Sequence, residues 1–267
     1  MGISQVLLFS CIVMCAYFIE GLIGFGGTIM AIPLASAVLG LRTTIPVLTI
    51  VVLIASIIIA VRDRKHIDKK QFIKITALMI LGLPIGMWLF DVIPERPLKV
   101  ALGIFMIYVG IKGLYDSKKN KTSTKEIEID NTIGVSATSI NIESKNTDSK
   151  LKSLVENLTI FCGGIVHGAF TCGGPFVVVY ATKNIMDKSS FRATLCALWA
   201  TLNGIIFCMD LYSGQVTADI MKISAITMLF VVVAIATSNI VHKKIKGDAF
   251  TKFVYVALIV SGILMAR

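Results

Sequence analysis

Charge is what this chain of 267 residues lacks: 16% of its residues are Asp, Glu, Lys or Arg, where soluble domains carry about 25%. Hydrophobic residues make up 55%, and mean hydropathy is +0.83. That balance excludes an ordinary soluble domain and indicates an integral membrane protein with little soluble mass. Histidine is scarce, at three residues, and no HExxH run, P-loop, dinucleotide fingerprint or Ser–His–Asp order is present. An enzyme and a bound cofactor are therefore not expected, and an ATP-driven pump would need another subunit. The six cysteines all fall inside apolar stretches, without zinc-finger spacing or a loop location suited to disulfides. They read as small apolar residues. Positions 1–15 hold no Lys or Arg, and the apolar run continues past signal-peptide length. No cleaved signal is expected, and the N-terminus is placed outside the cytoplasm.

Long hydrophobic runs are what the chain has instead. Apolar segments are read at 3–23, 27–40, 45–61, 72–90 and 98–114, then at 154–171, 174–186, 193–209, 220–241 and 253–266. A full span needs about 20 residues, so 27–40 and 174–186 are too short to cross unaided. The polar stretch 116–152 separates a first repeat (1–115) from a second (153–267) and is expected to be a weakly structured cytoplasmic connector.

The net charge of +10 could suggest nucleic acid, but the lysines sit in short loops without interleaved aromatics. They serve to orient the chain. With the 62–71 loop inside, alternation places 116–152, 183–192 and 242–252 inside too. These loops hold 19 basic residues, against 4 on the other side. Five elements per half is odd, so the halves should be inverted relative to each other, with both termini extracytoplasmic. The expected fold is an all-α polytopic protein of two inverted repeats in a bacterial or archaeal plasma membrane.

Each repeat contains a glycine pair beside its short segment. Glu20, Gly21, Gly26 and Gly27 fall on His167, Gly168, Gly173 and Gly174 at an offset of 147. Apolar helices broken at matching places in two halves mark transporters that bind substrate at the breaks. The turns are read as discontinuous helices or tips of re-entrant hairpins, tolerated at that depth only when buried in protein or lining a cavity. Helices starting at Thr28 and Pro175 would present N–H groups and a positive dipole end, which attract anions. The candidate substrate contacts are Gly24, Gly26, Gly27, Thr28, Cys172, Gly173, Gly174 and Pro175, with the mid-membrane amide of Asn203. Arg192 at the cytoplasmic edge is a candidate to gather anions at the entrance.

Glu20 and His167 are the only Glu and His well inside apolar segments. An ionisable group at that depth is costly and is read as functional, here as a proton-coupling pair. Two other readings compete. Glu20, His167 and Cys172 could ligate a divalent metal, although no second His or paired thiol supports this. Alternatively, the glycines only pack helices in a non-transporting scaffold. Trp199 is read as a packing or interface residue.

The segment Gly21-Leu22-Ile23-Gly24-Phe25-Gly26-Gly27 with Pro33-Leu34 resembles the sulfite exporter TauE/SafE family. So does Gly173-Gly174-Pro175 followed by Tyr180 and Phe191-Arg192-Ala193-Thr194. The resemblance implies secondary, ion-coupled transport of sulfite, sulfonates or related organosulfur or carboxylate anions. The chain departs from that pattern at Thr171-Cys172, where a glycine and a small apolar residue are usual, and at Phe176, where a second proline is common. Direction, coupling ion and oligomeric state are left open by the sequence.

Overall fold

A computed structural model describes residues 2–23, 27–130, 146–185 and 187–242, with residues 256, 259, 260, 262 and 263. The described residues form nine α-helices and one 3-10 turn (Arg64–His66), and no strand. The helices are α1 (Ile3–Ile23), α2 (Gly27–Leu39), α3 (Leu41–Arg62), α4 (Lys69–Val92), α5 (Glu95–Asp130), α6 (Asn146–Phe170), α7 (Gly174–Asn184), α8 (Lys188–Tyr212) and α9 (Ala218–His242). Seven of them are long and apolar enough to cross a membrane. With 13 and 11 residues, α2 and α7 reach only about 20 and 16 Å, against a hydrocarbon core of about 30 Å. The surface is apolar along the long helices, with Ile58, Leu81, Trp88, Ile104 and Leu229 each more than half exposed. In water such a surface would aggregate; a bilayer covers it.

Two differences from the sequence reading have clear causes. The α3 helix starts at Leu41, four residues before the expected apolar run. Gly40 turns the chain there at φ 77°, and the Glu95 carboxylate accepts the Leu41 N–H at 2.9 Å. That cap arrives from the next-but-one helix, so no local pattern announces it. The stretch 116–152, expected to be weakly structured, is helical at both its margins, because α5 runs to Asp130 and α6 begins at Asn146. No Gly or Pro falls between Gly113 and Gly134 to stop α5. Residues 131–145 and most of the last apolar segment lie outside the described residues.

Packing pairs elements across the two halves. The α4 and α6 helices lie against each other, as do α1 and α9, while α3 packs along α8. Exchanging α1 with α6, α2 with α7, α3 with α8 and α4 with α9 maps these pairs onto themselves. Between α4 and α6 the contact is backbone on backbone. A Cβ on Gly82 or Gly86 would meet main-chain atoms of Phe161, Ile165 and Ala169, and one on Gly164 or Gly168 would meet those of Met79, Leu83 and Met87. Both pairs have the small-xxx-small spacing that lets membrane helices approach closely. The partners advance together, Met79 beside Gly164 and Leu83 beside Gly168, so these two helices are parallel.

The loops gather on two faces. On one, the Asp68 N–H donates to Thr194 Oγ1 at 2.9 Å, tying the end of the α3–α4 connection to the start of α8. On the other, Arg42 donates to the Ile93 carbonyl at 3.0 Å and Gln215 to Asp91 Oδ1 at 2.9 Å. Helices α3 and α8 thus run antiparallel. The charge argument places 62–71 with 183–192 on one side, and 40–44 with the 91–97 and 210–219 loops on the other; these contacts group the loops in the same way.

Candidate functional site

Both glycine breaks reverse the chain. After Phe170 it doubles back, so that Gly173 packs on the Gly163 carbonyl and the Gly163 position abuts Phe176 Cβ. After α1, Gly27 comes back against Ala16 and Glu20, and Tyr17 Oη lies 3.2 Å from Thr28 Oγ1. Gly24 and Gly26 lie outside the described residues.

The two residues at matched positions do matched work. Glu20 Oε2 accepts the Gly27 N–H at 2.8 Å, across the first break. His167 Nδ1 accepts the Gly173 N–H at 3.4 Å, across the second. Each side chain closes the head of the short helix that follows, taking one of the N–H groups such a helix leaves unpaired. They differ in chemistry, one a carboxylate and the other an imidazole. The Gly27 N–H is therefore already occupied by a side-chain oxygen.

The second break is more fully enclosed. His167 is 1% exposed and its ring stacks on Trp199 of α8, with centroids 5.1 Å apart and planes 25° apart. Gly174 faces the same indole: a Cβ there would stand 3.9 Å from Trp199 Cζ2, leaving ordinary room. Gly173, by contrast, has none. Pro175 occupies the first turn of α7, where its missing N–H costs nothing. Cys172 is buried, and Thr171 takes φ 51°, a left-handed angle rare for a β-branched residue. Glycine adopts such an angle without that penalty.

Asn203 is fully buried one turn beyond Trp199. Its Nδ2 donates to the Trp199 carbonyl at 2.9 Å, while its Oδ1 has no partner among the described residues. His167 Nε2 likewise has none. Trp199, read from sequence as packing, thus links the break to Asn203; its spacing of four from Asn203 was the available signal.

The first and second breaks share surroundings. Ala169, Phe170 and Cys172 belong to one contiguous apolar cluster with Ala16, Tyr17, Ile29 and Ile32. Cys196 of α8 lies within electrostatic reach of Glu20, and also of Arg192, Arg62 and Asp63. Arg192 is exposed and sits on the face with Asp63, whose carboxyl is held below the usual range by its bond to Arg62, with Arg192 and His66 adding to the effect. Among the described residues no three His, Cys, Asp or Glu side chains gather closely enough to hold a metal ion, so Glu20, His167 and Cys172 do not form the trio the metal reading needs.

The remaining motif residues serve the scaffold. Tyr180 Oη donates to Gln71 Oε1 at 2.9 Å under the Lys74 ammonium, and Thr194 holds the Asp68 N–H.

A family model described as sulfite exporter TauE/SafE matches residues 9–265, nearly the whole chain. Comparison with curated proteins and with solved structures returns no match.

Proposed function

Because the chain belongs to the sulfite exporter TauE/SafE family, membrane transporters and not enzymes, we propose that it is a secondary carrier of small anions. Sulfite, sulfonates and related organosulfur or carboxylate anions are the substrates this reading favours. The observation that carries it is the pair of matched breaks, each closed by the equivalent side chain, Glu20 on Gly27 and His167 on Gly173. A helix head buried in a membrane protein must find a partner for its N–H groups, and an anion suits it electrostatically. The antiparallel course of α3 and α8, the exchange pattern of the packing and the doubling back at each break support inverted re-entrant hairpins whose tips meet at one site.

Glu20 also supplies a route to proton coupling. Its carboxylate and an incoming anion compete for the same positive helix end. Protonating Glu20 removes its charge, weakens its hold on Gly27 and frees that end for the substrate. Proton binding and anion binding then favour each other, which is the thermodynamic condition for carrying both together. Among the described residues, Tyr17 and Cys196 are titratable groups within its electrostatic reach. Arg192, exposed on the 62–71 face, would gather anions at the mouth.

Counterflow tests the carrier directly. Proteoliposomes preloaded with unlabelled sulfite should take up labelled sulfite faster than empty ones, as alternating access requires. Equal and protein-independent rates across a panel of sulfite, sulfonates and small carboxylates would refute the proposal.

A further inference from the structure

Two polar atoms, one on α6 and one on α8, are buried without a partner among the described residues, and they are of opposite kinds. His167 Nδ1 is an acceptor in its bond from the Gly173 N–H. In the neutral ring the proton therefore resides on Nε2, making that atom a donor. Asn203 points its amide N–H at the Trp199 carbonyl, which leaves Oδ1 as an acceptor. Trp199 and Asn203 stand four residues apart on α8 and share a face, and the His167 ring lies on the Trp199 indole. His167 is 1% exposed and Asn203 is not exposed at all. Buried groups of this kind are nearly always satisfied, so both atoms call for a partner, which water can be when the site is empty and ligand when it is filled.

Resting on the anion-carrier reading, we infer that the His167–Trp199–Asn203 face is the specificity edge of the substrate site and selects small oxyanions that carry an O–H or N–H donor of their own. The anionic oxygens would take the His167 Nε2–H and the Gly174 N–H, which has no partner among the described residues. The substrate's own donor would go to Asn203 Oδ1, with its small apolar portion against the indole. A hydroxy- or amino-substituted sulfonate, or a singly protonated oxyanion, satisfies both atoms. An anion with acceptors alone leaves Oδ1 unpaired, and a site built to bond a group rejects the analogue that lacks it.

The test is a binding titration. The chain has two tryptophans, and Trp88 is 61% exposed, so Trp88→Phe leaves Trp199 as the only indole reporter. Its fluorescence is followed in nanodiscs while hydroxymethanesulfonate or methanesulfonate is added, two probes that differ by one hydroxyl. Leaving a buried acceptor unpaired weakens binding, so the hydroxylated probe should bind roughly tenfold more tightly. Asn203→Leu should erase most of that difference between the two probes. Because the comparison of probes needs only the Trp88→Phe protein, it stands even if Asn203→Leu does not fold. Equal affinities, or no response to either probe, overturn the inference. The carrier reading survives both outcomes if counterflow persists, and falls separately if counterflow fails.

Discussion

At the scale of single residues, the glycines of the second break separate into those with room and those without. A Cβ on Gly173 would press on the Gly163 carbonyl and His167 Cβ, whereas one on Gly174 meets only Trp199 Cζ2 at 3.9 Å. Gly173→Ala should therefore destabilise by about 1–3 kcal/mol, the usual cost of overpacking. Gly174→Ala should fold normally, with thermal unfolding of the purified variants as the check. Thr171 allows the opposite experiment. A left-handed angle costs an L-residue roughly 1–2 kcal/mol, so Thr171→Gly should raise the unfolding temperature slightly despite the flexibility glycine adds. A clear fall would mean that the hydroxyl's bond to Phe170 O at 2.8 Å matters more than the strain. Sequence alone revealed Glu20 and His167, because ionisable residues are conspicuous in apolar runs. It did not reveal that each caps the helix beyond its break, since a bond spanning six or seven residues across a reversal has no periodic signature.

At the scale of elements, the places of the nine described helices were legible because a bilayer imposes one long apolar run per span. However, α5 runs past the expected end, and the tenth expected segment lies mostly outside the described residues. The first segment was expected at 3–23 and α1 occupies Ile3–Ile23; the short α2 and α7 were anticipated equally well. The start of α3 was not, because its cap comes from Glu95 in space. Pairing was also hidden in the sequence. The spacing of Gly82 with Gly86, and of Gly164 with Gly168, is plain once α4 and α6 are known to touch. Many other small residues sit at similar spacings elsewhere in the chain. In this interface the small residues serve close helix packing. Gly164→Leu should separate α4 from α6 and abolish the monodisperse folded peak on size-exclusion chromatography. Gly204→Ala, where the nearest atom to a Cβ is Leu53 Cδ1 at 3.7 Å, should leave that peak intact.

At the scale of the whole molecule, the grouping of loops follows from where lysine and arginine fall, and the bonds Asp68–Thr194 and Gln215–Asp91 group them identically. Single cysteines at Lys65 and Gln215, in a background with the six native cysteines replaced, should label with a membrane-impermeant reagent from opposite sides. Labelling from the same side would remove the basis for inverted halves. In the proposed carrier, inversion would give the breaks a common purpose, directing two hairpins toward one another so that a single site opens to either face in turn. In the same proposal Glu20 ties that movement to protons. Uptake of labelled sulfite into proteoliposomes, with and without an imposed pH gradient, tests this most directly when native protein is compared with Glu20→Gln, which retains an acceptor for the Gly27 N–H but carries no charge. Native protein should accumulate sulfite only under the gradient, and Glu20→Gln should exchange it at rates the gradient does not alter. Gradient-driven accumulation by Glu20→Gln at the native level, or no sulfite movement by native protein, would contradict the account.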